Sequence, residues 1–168
     1  MKKIALIALA ALMAFSAAVS AQDFIQIKGS DTSVNLVQRL AEVFMETNPN
    51  TAIAVTGGGS GVGIAALIAN KVQIADASRP MKEKEYAAAK ENGVIATEIA
   101  IGIDALSVVV HHDNPVKSLS MAQVGAIFRG EVTNWKEVGG PNLPISLYGR
   151  QPNSGTYVFF QEHVLGNK

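Results

Sequence analysis

The sequence predicts an α/β protein built on a parallel sheet, and three observations carry that prediction. Short apolar or alternating segments (FIQIKG at 24–29, TAIAVT at 51–56, VQIADAS at 72–78) are each followed by a small-residue loop and then by a run with helix-forming character. Uninterrupted apolar runs such as LSVVV at 106–110 suit strands covered on both faces. The junction loops, GSDTS at 29–33, GGGSGVG at 57–63, ASRP at 77–80 and RQPNSGT at 150–156, all fall where a strand gives way to a helix.

The first 21 residues stand apart from this pattern. Lys2 and Lys3, an apolar run from Ile4 to Phe15 and the small-residue end AAVSA read as a secretory signal peptide cleaved after Ala21. The apolar run is too short to span a bilayer comfortably, so no membrane insertion is expected once it is removed. Its removal takes two of the 14 basic residues and none of the 14 acidic ones, leaving an excess of two acids. No basic footprint remains, which argues against a nucleic-acid partner. There is no cysteine, hence no disulfide, no thiolate metal site and no lipoprotein anchor. The expected location is the periplasm.

Each later element has a local reason. After the strand at 24–29, Ser30 to Ser33 supply N-cap candidates for a helix with Val34, Val37, Ala41 and Phe44 on one face, stopped by Asn48-Pro49. TAIAVT is the second strand, and IAALIANK the second helix. KEKEYAAAKENG (82–93) is rich in helix formers and closes on Asn92-Gly93. Ser120 and Gln123 predict a capping box for a helix ending at Gly130, and 132–144 is loop-rich. ISLYG (145–149) reads as a strand before the last loop and a final helix-like segment, TYVFFQEHVLGNK (156–168).

The glycine run is the most informative feature: five of the fifteen glycines occupy seven positions directly before a helix. A helix start leaves amide hydrogens unpaired and carries partial positive charge, and missing side chains let an anion approach. Four such loops with serine hydroxyls make a nest of donors for a small oxyanion. Arg79 and Arg150 add guanidinium forks that match phosphate or sulfate oxygens, although Arg79 is equally placed to hold a neighbouring carboxylate. Other readings fail on the letters. Ile64 follows Gly63 where a Walker loop needs Lys, no base serves Ser60 as a nucleophile, and no acid stands at dinucleotide spacing after GVGIAA. His111, His112 and His163 show no metal-ligand spacing, so no metal, cofactor or catalytic residue is assigned.

Together, KGSDT, TGGGSGVG, ASRPM and YGRQPNSGTY, in this order, resemble the phosphate-binding periplasmic proteins of the high-affinity phosphate ABC transporters. The resemblance runs from about Phe24 to the last residue. It implies a type II periplasmic-binding-protein fold, with 22–102 as the first α/β lobe and 103–168 as part of a second, incomplete one. It further implies that the lobes close on inorganic phosphate and deliver it to a membrane permease without catalysis. Carried over by position, the ligand contacts are Ser30, Thr32, Ser60, Arg150, Ser154, Gly155 and Thr156; the residues of the third loop, Ser78 and Arg79, join the candidate set on their own chemistry. The family's acidic proton acceptor after AS is Arg79 here, and its aspartate two places beyond the arginine is Pro152. Asp104 is the candidate replacement acceptor, with Asp31 and Asp76 next. An acceptor facing the ligand would admit protonated phosphate and oppose sulfate. Another oxyanion, or an enzyme acting on phosphate esters through Ser60 or Ser154, are the alternatives. The resemblance implies a family that extends past this C-terminus, so the chain is expected to leave apolar surface uncovered and to bind phosphate weakly or not at all unless another chain supplies the rest.

Overall fold

The computed structural model describes residues 23–166; the signal-peptide reading of 1–21 lies outside them. Three strands, β1 (Asp23–Gly29), β2 (Thr51–Thr56) and β3 (Ile74–Asp76), form a parallel sheet in the order β2-β1-β3. The central strand therefore pairs with both neighbours, and its Ile27 lies opposite Val55 on one side and Ile74 on the other. All three strands end at the same edge of the sheet, which is where the predicted loops begin.

Helix α1 (Val34–Thr47) packs on β2, and α2 (Ser60–Ile68) packs on β1 and β3. The inward side of α1 is Val34, Val37, Ala41 and Met45; Phe44, predicted to share it, is exposed instead. Met45 takes that place because four residues bring it over Ala41, and its sulfur accepts the Ile53 amide at 3.2 Å. Ile64 of α2 is fully buried, a burial worth roughly 1.5–3 kcal/mol. Helix α3 (Glu83–Glu91) packs on α2 through buried Ala89 and stops where predicted, with Gly93 left-handed at φ 75°.

In the later part of the chain, α4 (Met121–Phe128) carries the predicted capping box. The Gln123 amide donates to Ser120 Oγ at 3.2 Å, and the Ser120 amide to Gln123 Oε1 at 2.9 Å. A 3-10 turn (Trp135–Val138) and α5 (Gly155–Phe160), which runs into a π turn (Gln161–Leu165), complete the elements. Phe128 and Phe160 meet with ring centres 4.7 Å apart.

Two predicted strands do not form: LSVVV and ISLYG are irregular, as is all of 94–119 outside the turn at Asp113. A strand needs a partner for its amides and carbonyls and, for an apolar run, cover on both faces. Among the described residues neither segment has a ladder partner. Their side chains line an open apolar cavity of about 620 Å³ with Val108, Val110, Ile127, Trp135, Leu147 and Phe160 around it. Ile95, Ile99, Ile103 and Val109 are almost fully exposed, so the expectation of uncovered apolar surface holds for this chain. Among the described residues, no helix is long and apolar enough to cross a membrane.

Candidate functional site

At the carboxyl edge of the sheet the loops converge and are tied to one another by their backbones. The Ser30 amide donates to the Asp76 carbonyl at 2.9 Å, which joins the first loop to the third. The Gly59 amide donates to the Gly29 carbonyl at 2.8 Å, which joins the second to the first. Gly59 is the N-cap of α2 with φ 95°, and a Cβ there would come 2.7 Å from the Asn153 carbonyl oxygen. Only glycine meets both demands.

Serines fill the space between these loops. Ser30 and Ser60 are fully buried, and Ser154 nearly so. Ser30 Oγ accepts the Thr32 amide at 3.1 Å. Ser60 Oγ accepts the Ser78 amide at 3.1 Å and lies 3.1 Å from Ser78 Oγ, so one hydroxyl joins α2 to the third loop. The fourth loop closes over them. Ser154 caps α5 by accepting the Tyr157 amide at 3.4 Å, and a Cβ on Gly155 would come 2.6 Å from Ser60 Oγ. Thr156 Oγ1 sits 3.2 Å from Thr32 Oγ1, and Arg150 Nη2 sits 3.6 Å from Asp31 Oδ2.

The structure thus brings together Ser30, Thr32, Ser60, Ser78, Arg150, Ser154, Gly155 and Thr156 from four separated segments. Two sequence-chosen residues are not joined to them. Arg79 puts its fork on Glu85, with Nη1 and Nη2 at 2.9 and 2.8 Å from the two carboxylate oxygens. The reason is local: Glu85 opens α3 and also accepts the Lys82 amide at 2.8 Å, so its carboxylate is fixed within reach six residues on. Arg79 holds the Glu85 carboxyl below its ordinary 4.5 against the opposing effect of burial. Asp104 is exposed in the irregular segment, and its Oδ1 accepts the next amide, Ala105, at 2.7 Å. No hydrogen bond or ion pair links it to the cradle among the described residues. His111 and His112 are exposed, and their ligand atoms lie within 4.8 Å of each other and of Asp113, a grouping with the acid that the sequence reading did not consider.

Three residues matter more than the sequence suggested. Asn153 accepts the Gly61 amide through its carbonyl at 3.1 Å and donates Nδ2 to the Gly58 carbonyl at 2.7 Å, locking the fourth loop onto the glycine run. Its place beside Ser154 was the only available signal. Asp31 supplies the acid beside Arg150.

Asp76 is the third. It is buried, Ser33 Oγ donates to its Oδ1 at 2.7 Å, and its Oδ2 is buried without a partner. Desolvation raises its pKa above the ordinary 3.8, more than the Ser33 bond lowers it. The native state then holds a proton that the unfolded chain releases, so this contribution to stability is complete below 3.8 and is lost as pH rises through the raised value. Asp76→Asn keeps an acceptor for Ser33 and removes the charge. Its Tm should exceed that of wild type at pH 7, with the gap closing toward pH 4. A gap independent of pH in thermal melts would contradict this.

Residues 16–168 match the family described as PBP superfamily domain. Protein SphX of Synechococcus elongatus is 36% identical over 146 residues, covering 83% of this chain and 43% of that protein. The phosphate-binding protein PstS of Pseudomonas aeruginosa is 35% identical over 150 residues, covering 82% of this chain and 46% of that one. The chain therefore spans less than half the length of these curated relatives. Among solved structures, a Clostridium perfringens protein with bound phosphate superposes with TM-score 0.75 at 34% identity, covering 84% of this chain and 56% of that chain. An ABC-type phosphate transport receptor from Vibrio cholerae gives TM-score 0.68 at 34% identity, with 84% and 55% covered.

Proposed function

Because this chain belongs to the PBP superfamily, we propose that it captures inorganic phosphate as the solute-binding component of an ABC transporter. The observation that carries this reading is the meeting of Ser30, Ser60, Ser78, Ser154 and the Thr32–Thr156 pair at one edge of the sheet, beside Arg150. Such a cluster offers hydroxyls and helix-start amides to a tetrahedral anion. Each hydrogen bond to a charged ligand contributes about 1.5–3 kcal/mol, so losing two or three separates tight from negligible binding. The relatives named as phosphate-binding proteins support phosphate over other oxyanions.

On this reading, 22–102 and 103–168 belong to two lobes whose facing loops hold the ion, and a membrane permease receives it. The protein works outside the inner membrane once its signal peptide is cleaved. No bond is made or broken on this reading, in keeping with relatives named as binding proteins, and the buried serines hold one another and the backbone. Calorimetric titration with phosphate and with sulfate tests the proposal. Weak but saturable phosphate binding by this chain, with sulfate at least about tenfold weaker still, is the expected result; equal affinity for both, or none for phosphate, would overturn it.

A further inference from the structure

With the Arg79 fork taken by Glu85, Arg150 is the guanidinium left to serve the serine cluster among the described residues, yet little on its own segment fixes it. Its Nε donates to the adjacent Gln151 Oε1 at a long 3.4 Å, and the side chain is partly exposed. A long flexible cation so held would spend much of its time turned away from an anion. Across the junction stands Asp31, on the loop after β1. Its Oδ1 accepts the Gly58 amide at 2.7 Å, which fixes the carboxylate, and its Oδ2 lies 3.6 Å from Arg150 Nη2.

The glycine run is shaped around this carboxylate. A Cβ on Gly57 would come 2.5 Å from Asp31 Oδ1, so bare backbone at 57 is what lets the acid settle on the Gly58 amide. The next residue along, Thr32, meets Thr156 at 3.2 Å, so two consecutive side chains of one loop hold the two flanks of the 150–156 loop. Arg150 Nη2 approaches Asp31 Oδ2 at 3.6 Å, longer than a direct hydrogen bond, so the donors of the fork are not committed to the carboxylate and can serve a ligand.

We propose that Asp31 is a positioning residue: anchored on the Gly58 amide, it holds the Arg150 guanidinium at the cradle and latches the 150–156 loop to the sheet. This rests on the phosphate reading above and adds to it a residue that does not itself need to touch the ion. An acid beside an anion site has a cost in repulsion, and positioning outweighs it here because a misplaced guanidinium gives up its whole charge-assisted contact.

The test is a double-mutant cycle read by calorimetric titration with inorganic phosphate. Asp31→Asn keeps the oxygen that accepts the Gly58 amide and loses only the charge, so folding is preserved and a thermal melt checks it. Phosphate affinity should fall about tenfold in Asp31→Asn. Arg150→Gln should fall further, and the double variant should be no weaker than Arg150→Gln alone, because Asp31 acts through Arg150. Additive losses would assign Asp31 a role independent of Arg150 and overturn the proposal. Unchanged or tighter binding in Asp31→Asn would overturn it as well, while leaving the phosphate reading intact. Wild-type protein that does not bind phosphate would sink both together.

Discussion

Gly155→Ala is expected to weaken phosphate binding at least about tenfold while the parallel sheet stays folded. The added methyl would come 2.6 Å from Ser60 Oγ and also press on Ser78 Oγ. Neither neighbour can yield cheaply. Ser60 Oγ is the acceptor for the Ser78 amide, and Ser60 is fully buried at the start of α2. The structure therefore relaxes by moving the start of α5 outward, which carries Ser154 and Thr156 away from the sheet. Gly155 is not in a left-handed conformation, so the effect is one of space alone. The two variants Gly155→Ala and Gly61→Ala make the comparison sharp. A methyl on Gly61 would lie 3.3 Å from the Asn153 carbonyl oxygen, close enough to need a shift of a few tenths of an ångström and no more. Titration with phosphate should separate the two; equal affinities would show that α5 is not packed as described.

The second large effect is on folding. Gly63→Ala places a methyl against backbone: a Cβ there would come 2.7 Å from the Gly29 Cα and still nearer the Lys28 carbonyl oxygen. Alanine would gain about 1 kcal/mol in helix propensity over glycine. Overpacking against an immovable strand costs typically 1–3 kcal/mol and more when backbone must shift, so the clash wins. Helix α2 packs on both β1 and β3, and Ile64 beside it is the largest fully buried side chain. Pushing the helix off the sheet loosens the core and the Ser60 contacts together. Denaturation should show a Tm lower by about 4–8 °C. A Tm equal to or above wild type would mean that the α2 to β1 approach is looser than these distances state.

The loops before the helices were legible because their chemistry is local. Glycine, serine and aspartate before a helix have few other uses than turning, capping or binding. Three of the four loops lie at strand ends, and the fourth, after the irregular 145–149, joins them through Asn153 and Gly155. The Ser120 capping box and the Gly93 stop were legible for the same reason: their partners lie within three or four residues. LSVVV was misread because a strand is a property of a pair, and an apolar run carries no record of whether a neighbour is present to bond with it. Phe44 was misplaced by one residue because helical periodicity leaves two adjacent positions almost equally able to face inward.

By itself, then, the sequence determined the α/β class, the positions of the helix starts and the residue types gathered there, all of which follow from backbone sterics and short-range capping. Only the tertiary structure decided which of the two arginines stands at the cradle, and which acids stand near it. Arg79 and Arg150 look alike as letters, but Glu85 lies close enough to take the first, while the second meets Asp31 across 119 residues of chain. An ion pair is settled by distance in space, and the sequence does not contain that distance until the sheet has brought its loop ends together.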